Sequence, residues 1–341
     1  MDSYQLQRQI FEIIEQRSPN KADLKDELAQ LLSLSKGAIY KRINGTTAIS
    51  LSDLAILIKT YNISFDKLVL PHKQEVTFQF PQLEKKIVSF FDYSETFKGA
   101  VDTFASLPNA QIYYATNELP FFYYFLDKNL TYFKYYIYAK TVWNLDSYKE
   151  RNMSLSKFSE EYGVMNMITE SLKVYYDVLP NIEFWNENVL NNTLNQITYF
   201  LQAGHFELPE EAFVLCDKLD EIMTHVEKMA EHGKKFMPGQ EPKESSPDFA
   251  MYYNEISHTN NMLLIENDLQ SAIFTAYDNP NYIISTDERL IDYTLKWFKA
   301  IQKSSLPISK DAERTRKSMF RKIHKRIDLT RSEIETILAE L

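Results

Sequence analysis

Glycine is scarce in this chain, with 7 in 341 residues. Few glycines beside many long side chains favour helices joined by short loops. No GxGxxG, Walker-type phosphate loop or GxSxG sequence occurs. Cysteine is rarer still: Cys216 stands alone, which excludes a disulfide framework and fits a reducing cytosol. Long hydrophobic runs are missing too. Nothing approaches the ~20 apolar residues of a membrane span, and the most apolar candidate, LPFFYYFLDKNL, is cut by Asp127 and Lys128. No membrane partner is expected. The opening MDSYQLQRQIFEIIEQR reads as a charged amphipathic helix rather than a signal peptide, because it lacks an unbroken apolar run. An excess of positive charge is absent as well. The net charge of −9 means that the whole molecule is not a bulk polyanion binder. The histidines form no HExxH, and Cys216 has no nucleophile context. No catalytic residue and no cofactor is expected, so the chain does not read as an enzyme.

What is present is helical periodicity. The length suits one small and one large domain. Residues 1–71 read as five short helices, 72–80 as an extended connector or edge strand, and 81–341 as a large second domain. Leu6, Ile10, Ile13 and Ile14 repeat at helical spacing in the first helix. Leu24, Leu28, Leu31 and Leu32 line the second, and Leu54, Ile58 and Tyr61 the fourth. Ser64 is placed to cap the fifth, and Pro71 to stop it.

The third helix carries the functional signal. SKGAIYKRING, residues 35–45, places Ser35 as an N-cap before Lys36 and ends on Asn44-Gly45, which tolerate the left-handed conformation. Two helices joined by a tight turn read DNA when the second offers donors to phosphates and base edges. Such a pair needs a small residue at the helix crossing, an apolar plug in the turn and an apolar inward residue on the second helix. Ala29, Leu34 and Ile39 fill these roles. Lys36, Gly37, Tyr40, Lys41 and Asn44 then point outward.

LAQLLSLSKGAIYKRING, followed by SLSDLAILIKTYNISFDKLV, resembles the Cro/repressor-type helix-turn-helix family, also called the XRE family. Two residues depart from its pattern. Ser33 stands where the family usually has Gly, and Arg42 where it often has an apolar residue, with Ile43 one place later. The resemblance implies a domain that binds double-stranded DNA through Ser35, Lys36, Gly37, Tyr40, Lys41 and Asn44, with Arg42 on phosphate. The small domain is nearly neutral, so one copy binds weakly and a homodimer on two half-sites is expected.

The remainder is less explicit. AQIYYAT, residues 110–116, reads as a strand; NNMLLIEND, QSAIFTAYDNP and NYIISTDE read as a three-stranded meander. PGQEPKESSPD, residues 238–248, reads as a mobile loop. The expected fold is mostly α, of α+β type: a five-helix helix-turn-helix domain plus a large helical domain with a small antiparallel sheet. The aromatic stretch from Phe121 to Tyr138 suits a core, an oligomer interface or an apolar effector pocket. Asp217, Glu221, His225 and His232 share a helix face, which reads as a solvated acidic face rather than a metal site. The basic segment 310–327 reads as an amphipathic helix paired internally or facing a polyanion, with Ser309 as its cap; a separate helix follows, capped by Thr330 and Glu333 and striped by Ile334, Ile337, Leu338 and Leu341. The large domain also resembles the C-terminal part of uncharacterised Bacteroidetes-type regulators, which implies no ligand. The expectation is a cytoplasmic bacterial one-component regulator, with dimerisation and a small-molecule effector assigned to the large domain. The alternative is a scaffolding protein whose small domain docks a protein partner.

Overall fold

The computed structural model describes residues 2–18, 23–61, 63, 65–69, 75–83, 86–157, 162–255 and 261–340. Ser64, residues 71–74 and Leu341 lie outside the described residues, and with them the expected cap, the expected stop and the last stripe position. The chain divides into two compact units, Met1–Glu75 and Val76–Leu341.

The first unit contains α1 (Ser3–Arg17), α2 (Leu24–Leu31), α3 (Lys36–Ile43), α4 (Leu51–Thr60) and α5 (Phe65–Val69). A capping box opens α1: Asp2 accepts from the Gln5 amide, and Gln5 accepts from the Asp2 amide. Its core gathers Ile10, Phe11 and Ile14 with Leu24, Leu28, Leu32, Ile39, Leu57, Ile63 and Leu68.

In the second unit α6 (Phe90–Ala105) leads to β1 (Gln111–Ala115). Helices α7 (Phe121–Tyr124), α8 (Lys128–Thr141), α9 (Asp146–Lys149) and α10 (Tyr162–Val178) precede β2 (Asn181–Trp185). Helices α11 (Asn191–Gln202) and α12 (Glu211–His232) then precede β3 (Phe249–Tyr253). β4 (Met262–Glu266), β5 (Ala272–Asp278), β6 (Asn281–Ser285), α13 (Glu288–Ser304), β7 (Leu306–Pro307) and α14 (Glu313–Glu340) complete it.

The expected meander is present as β4, β5 and β6, but the sheet is neither small nor purely antiparallel. It has seven strands in the order β6-β5-β4-β1-β2-β3-β7, and β1, β2 and β3 run parallel. Parallel neighbours need long crossovers, supplied here by helices. Strands covered on both faces lose the alternation that marks a half-exposed strand, and β2 has four of its five residues buried. On one face Tyr113, Ala115, Phe184, Leu264 and Ile273 pack with Phe298 of α13. On the other, Tyr114, Trp185 and Met251 join the larger core with α6, α8, α10, α11, α12 and α14. The register also aligns three Asn-Glu pairs just past the parallel strands: Asn117-Glu118, Asn186-Glu187 and Asn254-Glu255. Asn186 donates to Asn117 at 3.1 Å.

The aromatic stretch is core. Tyr123, Tyr132, Phe133, Tyr135 and Tyr136 are essentially inaccessible, and Phe122 stacks on Tyr175 with centroids 3.8 Å apart. The basic segment and the helix expected after it form one helix, α14, because no glycine or proline interrupts them. Thr330 does not cap; its hydroxyl donates back to the Arg326 carbonyl at 3.1 Å, a bond that a continuous helix accommodates. Ser309 does not cap either: its hydroxyl accepts from the Met251 amide. Much of the segment's charge is satisfied inside the unit. Arg316 is buried and donates to the Ile308 and Lys310 carbonyls, Lys322 lies between Glu187 and Glu255, and Arg331 pairs with Asp217. Ile334 and Ile337 are buried in the same unit. On α12, Asp217 is held by Arg331, Glu221 by Lys218, and His225 by the Phe236 carbonyl at 2.9 Å. Lys234 ties the 238–248 segment through the Glu244 and Ser246 carbonyls and Asp248.

Candidate nucleic-acid interface

The interface begins with the way α2 ends. Its Leu24 and Leu28 are buried and fix the helix to the core, with Ala29 packed beside them. The Leu34 amide bonds back to the Ala29 carbonyl at 2.9 Å and the Ser33 amide to the Gln30 carbonyl at 3.2 Å. This is a Schellman termination, whose central residue must be left-handed. Ser33 adopts φ +53°, so a serine does here what glycine does at lower conformational cost. Leu34 then packs against the core as the plug of the turn.

Ser35 starts α3, accepting from the Ala38 amide at 3.2 Å. Ile39 is fully buried and sets the helix phase, with Ile43 packing one turn later. The far end repeats the same device. The Thr46 amide bonds to the Lys41 carbonyl at 2.9 Å, the Gly45 amide to the Arg42 carbonyl at 3.1 Å, and Gly45 sits at φ +73°. Two Schellman motifs therefore bracket the turn and helix.

Of the seven candidate residues, Ser35, Lys36, Gly37, Tyr40, Lys41 and Asn44 are exposed together on this segment. Positions 37, 40, 41 and 44 share one helix face by their three- and four-residue spacing. Arg42 is placed apart from them. Its side chain is only 15% exposed, and its guanidinium lies 3.4 Å from Asp53 of α4. Arg42 thus fills the position that is often apolar in the family it resembles with a largely buried ion pair. Lys36 is committed as well, though in solvent: its ammonium lies 2.5 Å from Asp26 of α2. Lys25 sits 5.4 Å from the centre of the Tyr40 ring. Lys41 has no ion pair among the described residues.

Sequence reasoning missed Gln7. It is 6% exposed on α1 and holds the loop that follows α3. Its amide donates to the Arg42 carbonyl at 2.6 Å and the Thr47 carbonyl at 2.9 Å, and its carbonyl accepts from the Ile49 amide at 2.9 Å. A signal existed: residues 7, 10, 11 and 14 form the buried stripe of α1, and Gln7 is its polar member. Replacing Gln7 with alanine strands these backbone groups. The expected loss is about 2–4 kcal/mol, seen in helical circular dichroism and not in tryptophan fluorescence, because Trp143, Trp185 and Trp297 all lie in the second unit.

Residues 20–68 match the model of a family described as Helix-turn-helix. This stretch is a helix-turn-helix domain. The match covers α2, the turn, α3 and α4, and it supports the Cro/repressor-type resemblance over those residues. At the level of that family, the domain supports a DNA-binding transcription regulator. No curated protein and no solved structure matches the chain. Among the described residues no helix is long and apolar enough to cross a membrane.

Proposed function

We propose that this chain is a bacterial, cytoplasmic one-component transcription regulator that binds double-stranded DNA through α3 as a homodimer and acts by binding rather than by turnover. The observation that carries the reading is the helix-turn-helix with Lys36, Gly37, Tyr40, Lys41 and Asn44 exposed around a helix whose inward side is fixed by Ile39. The dimer follows from charge. With Lys36 held by Asp26 and Arg42 by Asp53, one copy has little uncommitted positive charge for phosphate. Two copies on two half-sites multiply a weak contact. The second unit is assigned dimerisation and effector sensing, a ligand altering operator affinity by changing the placement of the two recognition helices.

Selection from a random duplex library at two salt concentrations tests this. Enrichment of a palindrome by the full-length chain, with affinity falling steeply as salt rises, is the expected result. A second reading, a protein-docking module, draws on Leu51 and Ile56, which α4 exposes at 85% and 40%. Folded protein that enriches no duplex sequence would replace the first reading with the second.

A further inference from the structure

The outer side of α14 carries charge that the second unit does not use. Eight lysines and arginines lie on this helix. Five of them are engaged within the unit. Arg316 donates to backbone carbonyls, Lys317 pairs with Glu313, and Lys322 lies between Glu187 and Glu255. Arg326 donates to the Asn191 side chain at 3.1 Å, and Arg331 pairs with Asp217 and Asp328. Arg314, Arg321 and Lys325 remain, exposed and without an ion pair among the described residues. These three are not scattered. Steps of seven and four residues keep Arg321 and Lys325 within about 20° of the line that runs along the helix through Arg314. The exposed Ser318 falls between them. The row is about 16 Å long, and it lies opposite the buried Ile323, Ile327 and Ile334.

Like charges one turn apart, as Arg321 and Lys325 are, weaken a helix. No contact among the described residues offsets that, whereas each of the five engaged cations has a partner. The setting sharpens the contrast. The chain carries a net charge of −9 and its first unit is nearly neutral, so the acidic excess belongs to the second unit. Such a body is repelled by a polyanion except where it presents a cationic face. Duplex DNA offers a negative charge about every 1.7 Å of its axis, so a row of this length meets several phosphates whatever the bases are. We propose that the Arg314–Arg321–Lys325 row is a second DNA surface, which grips the sugar–phosphate backbone of the duplex held by α3 and reads none of its bases. This rests on the DNA-binding reading above.

Arg314→Gln, Arg321→Gln and Lys325→Gln, made together in the full chain, keep polar side chains and remove the charge. Binding is measured across a salt series for the most enriched duplex and for a scrambled duplex of equal length. The triple variant should bind both about 30-fold more weakly at low salt, leaving their ratio unchanged. Its slope of log affinity against log salt should be shallower by about 3 for each copy bound. Helicity and oligomeric state should stay as they are, because the three side chains are exposed. Lys296→Gln, Lys299→Gln and Lys303→Gln on α13 remove the same charge from another element and should leave the slope in place. An unchanged slope in the α14 variant, an equal change in the α13 variant, or a loss confined to the enriched duplex overturns the inference and leaves α3 standing. An α14 variant that changes its oligomeric state overturns it too, because the row then holds protein rather than DNA. Folded wild-type chain that enriches no duplex overturns both readings.

Discussion

Replacing Lys36 and Lys41 together with alanine is expected to weaken duplex binding by about 100-fold and to leave the fold in place. Each lysine on a recognition helix contributes about 1–3 kcal/mol through a base edge or a phosphate. Two at the lower part of that range give about two decades in affinity. Two phosphate contacts would also make the slope of log affinity against log salt shallower by about 2. Lys36 contributes only once Asp26 gives it up, which holds the expected loss toward the lower end. Folding should survive because the Lys36–Asp26 pair is 71% and 49% exposed, and exposed pairs are worth about 0–1 kcal/mol. Arg8→Ala is the charge control, since Arg8 pairs with Glu12 on α1 and lies outside the candidate face. Unchanged affinity in the double variant, with helicity intact, would remove α3 as the DNA-facing helix.

The helix-turn-helix was legible because its signals are local. Cap, plug, inward apolar residue and Asn-Gly stop all fall within a short stretch, and each acts on its own backbone neighbours. The Ser33 departure became intelligible only with its positive φ, because sequence shows a missing glycine but not that a serine has taken its conformation. The commitment of Lys36 and Arg42 was not legible. Asp26 and Asp53 are visible as charges, but which cation each reaches depends on how α2 and α4 pack against α3. The sheet was half legible for a related reason. β4, β5 and β6 are joined by short connections and alternate enough to read, whereas β1, β2 and β3 pair across long helical crossovers. NIEFW gives no hint of its neighbours when residues 116–180 separate it from its partner β1.

The aromatic stretch shows a further limit. Composition cannot distinguish a pocket from a core, since both need apolar walls. Packing decides: the Tyr93 and Tyr135 rings meet each other and the Trp143 ring at close centroid distances, and the Phe97 ring meets that of Phe122. Polar atoms inside this core are then the positions of greatest consequence, because a buried polar group left without a partner is costly.

Lys235→Ala should therefore have the largest effect on stability, about 3–5 kcal/mol, a large share of the roughly 5–15 kcal/mol that holds a domain together. The Lys235 ammonium is buried and donates to the Tyr175 carbonyl at 2.8 Å, the Leu179 carbonyl at 2.9 Å and the Asn181 side chain at 3.1 Å. It also lies 3.2 Å from the centre of the Tyr175 ring. The Asn181 amide passes the contact on, donating to Glu183 at 2.8 Å, and Glu183 accepts as well from the Tyr123 hydroxyl and from Trp185 at 2.9 Å. Burial pushes Lys235 well below its usual range and Glu183 above its own, and each opposes the other's shift by its charge. Alanine at 235 removes the donor from all three acceptors and leaves Glu183 without its nearest opposite charge. Adding Glu183→Gln should then recover part of the loss, because a carboxamide does not need that charge, and the two changes should not be additive. Urea unfolding followed by tryptophan fluorescence reads this directly, since Trp185 is itself a member of the network. A loss below about 1 kcal/mol in Lys235→Ala, or strict additivity of the pair, would mean that Asn181 does not couple the two charges and that the core of the second unit rests on its aromatic packing alone.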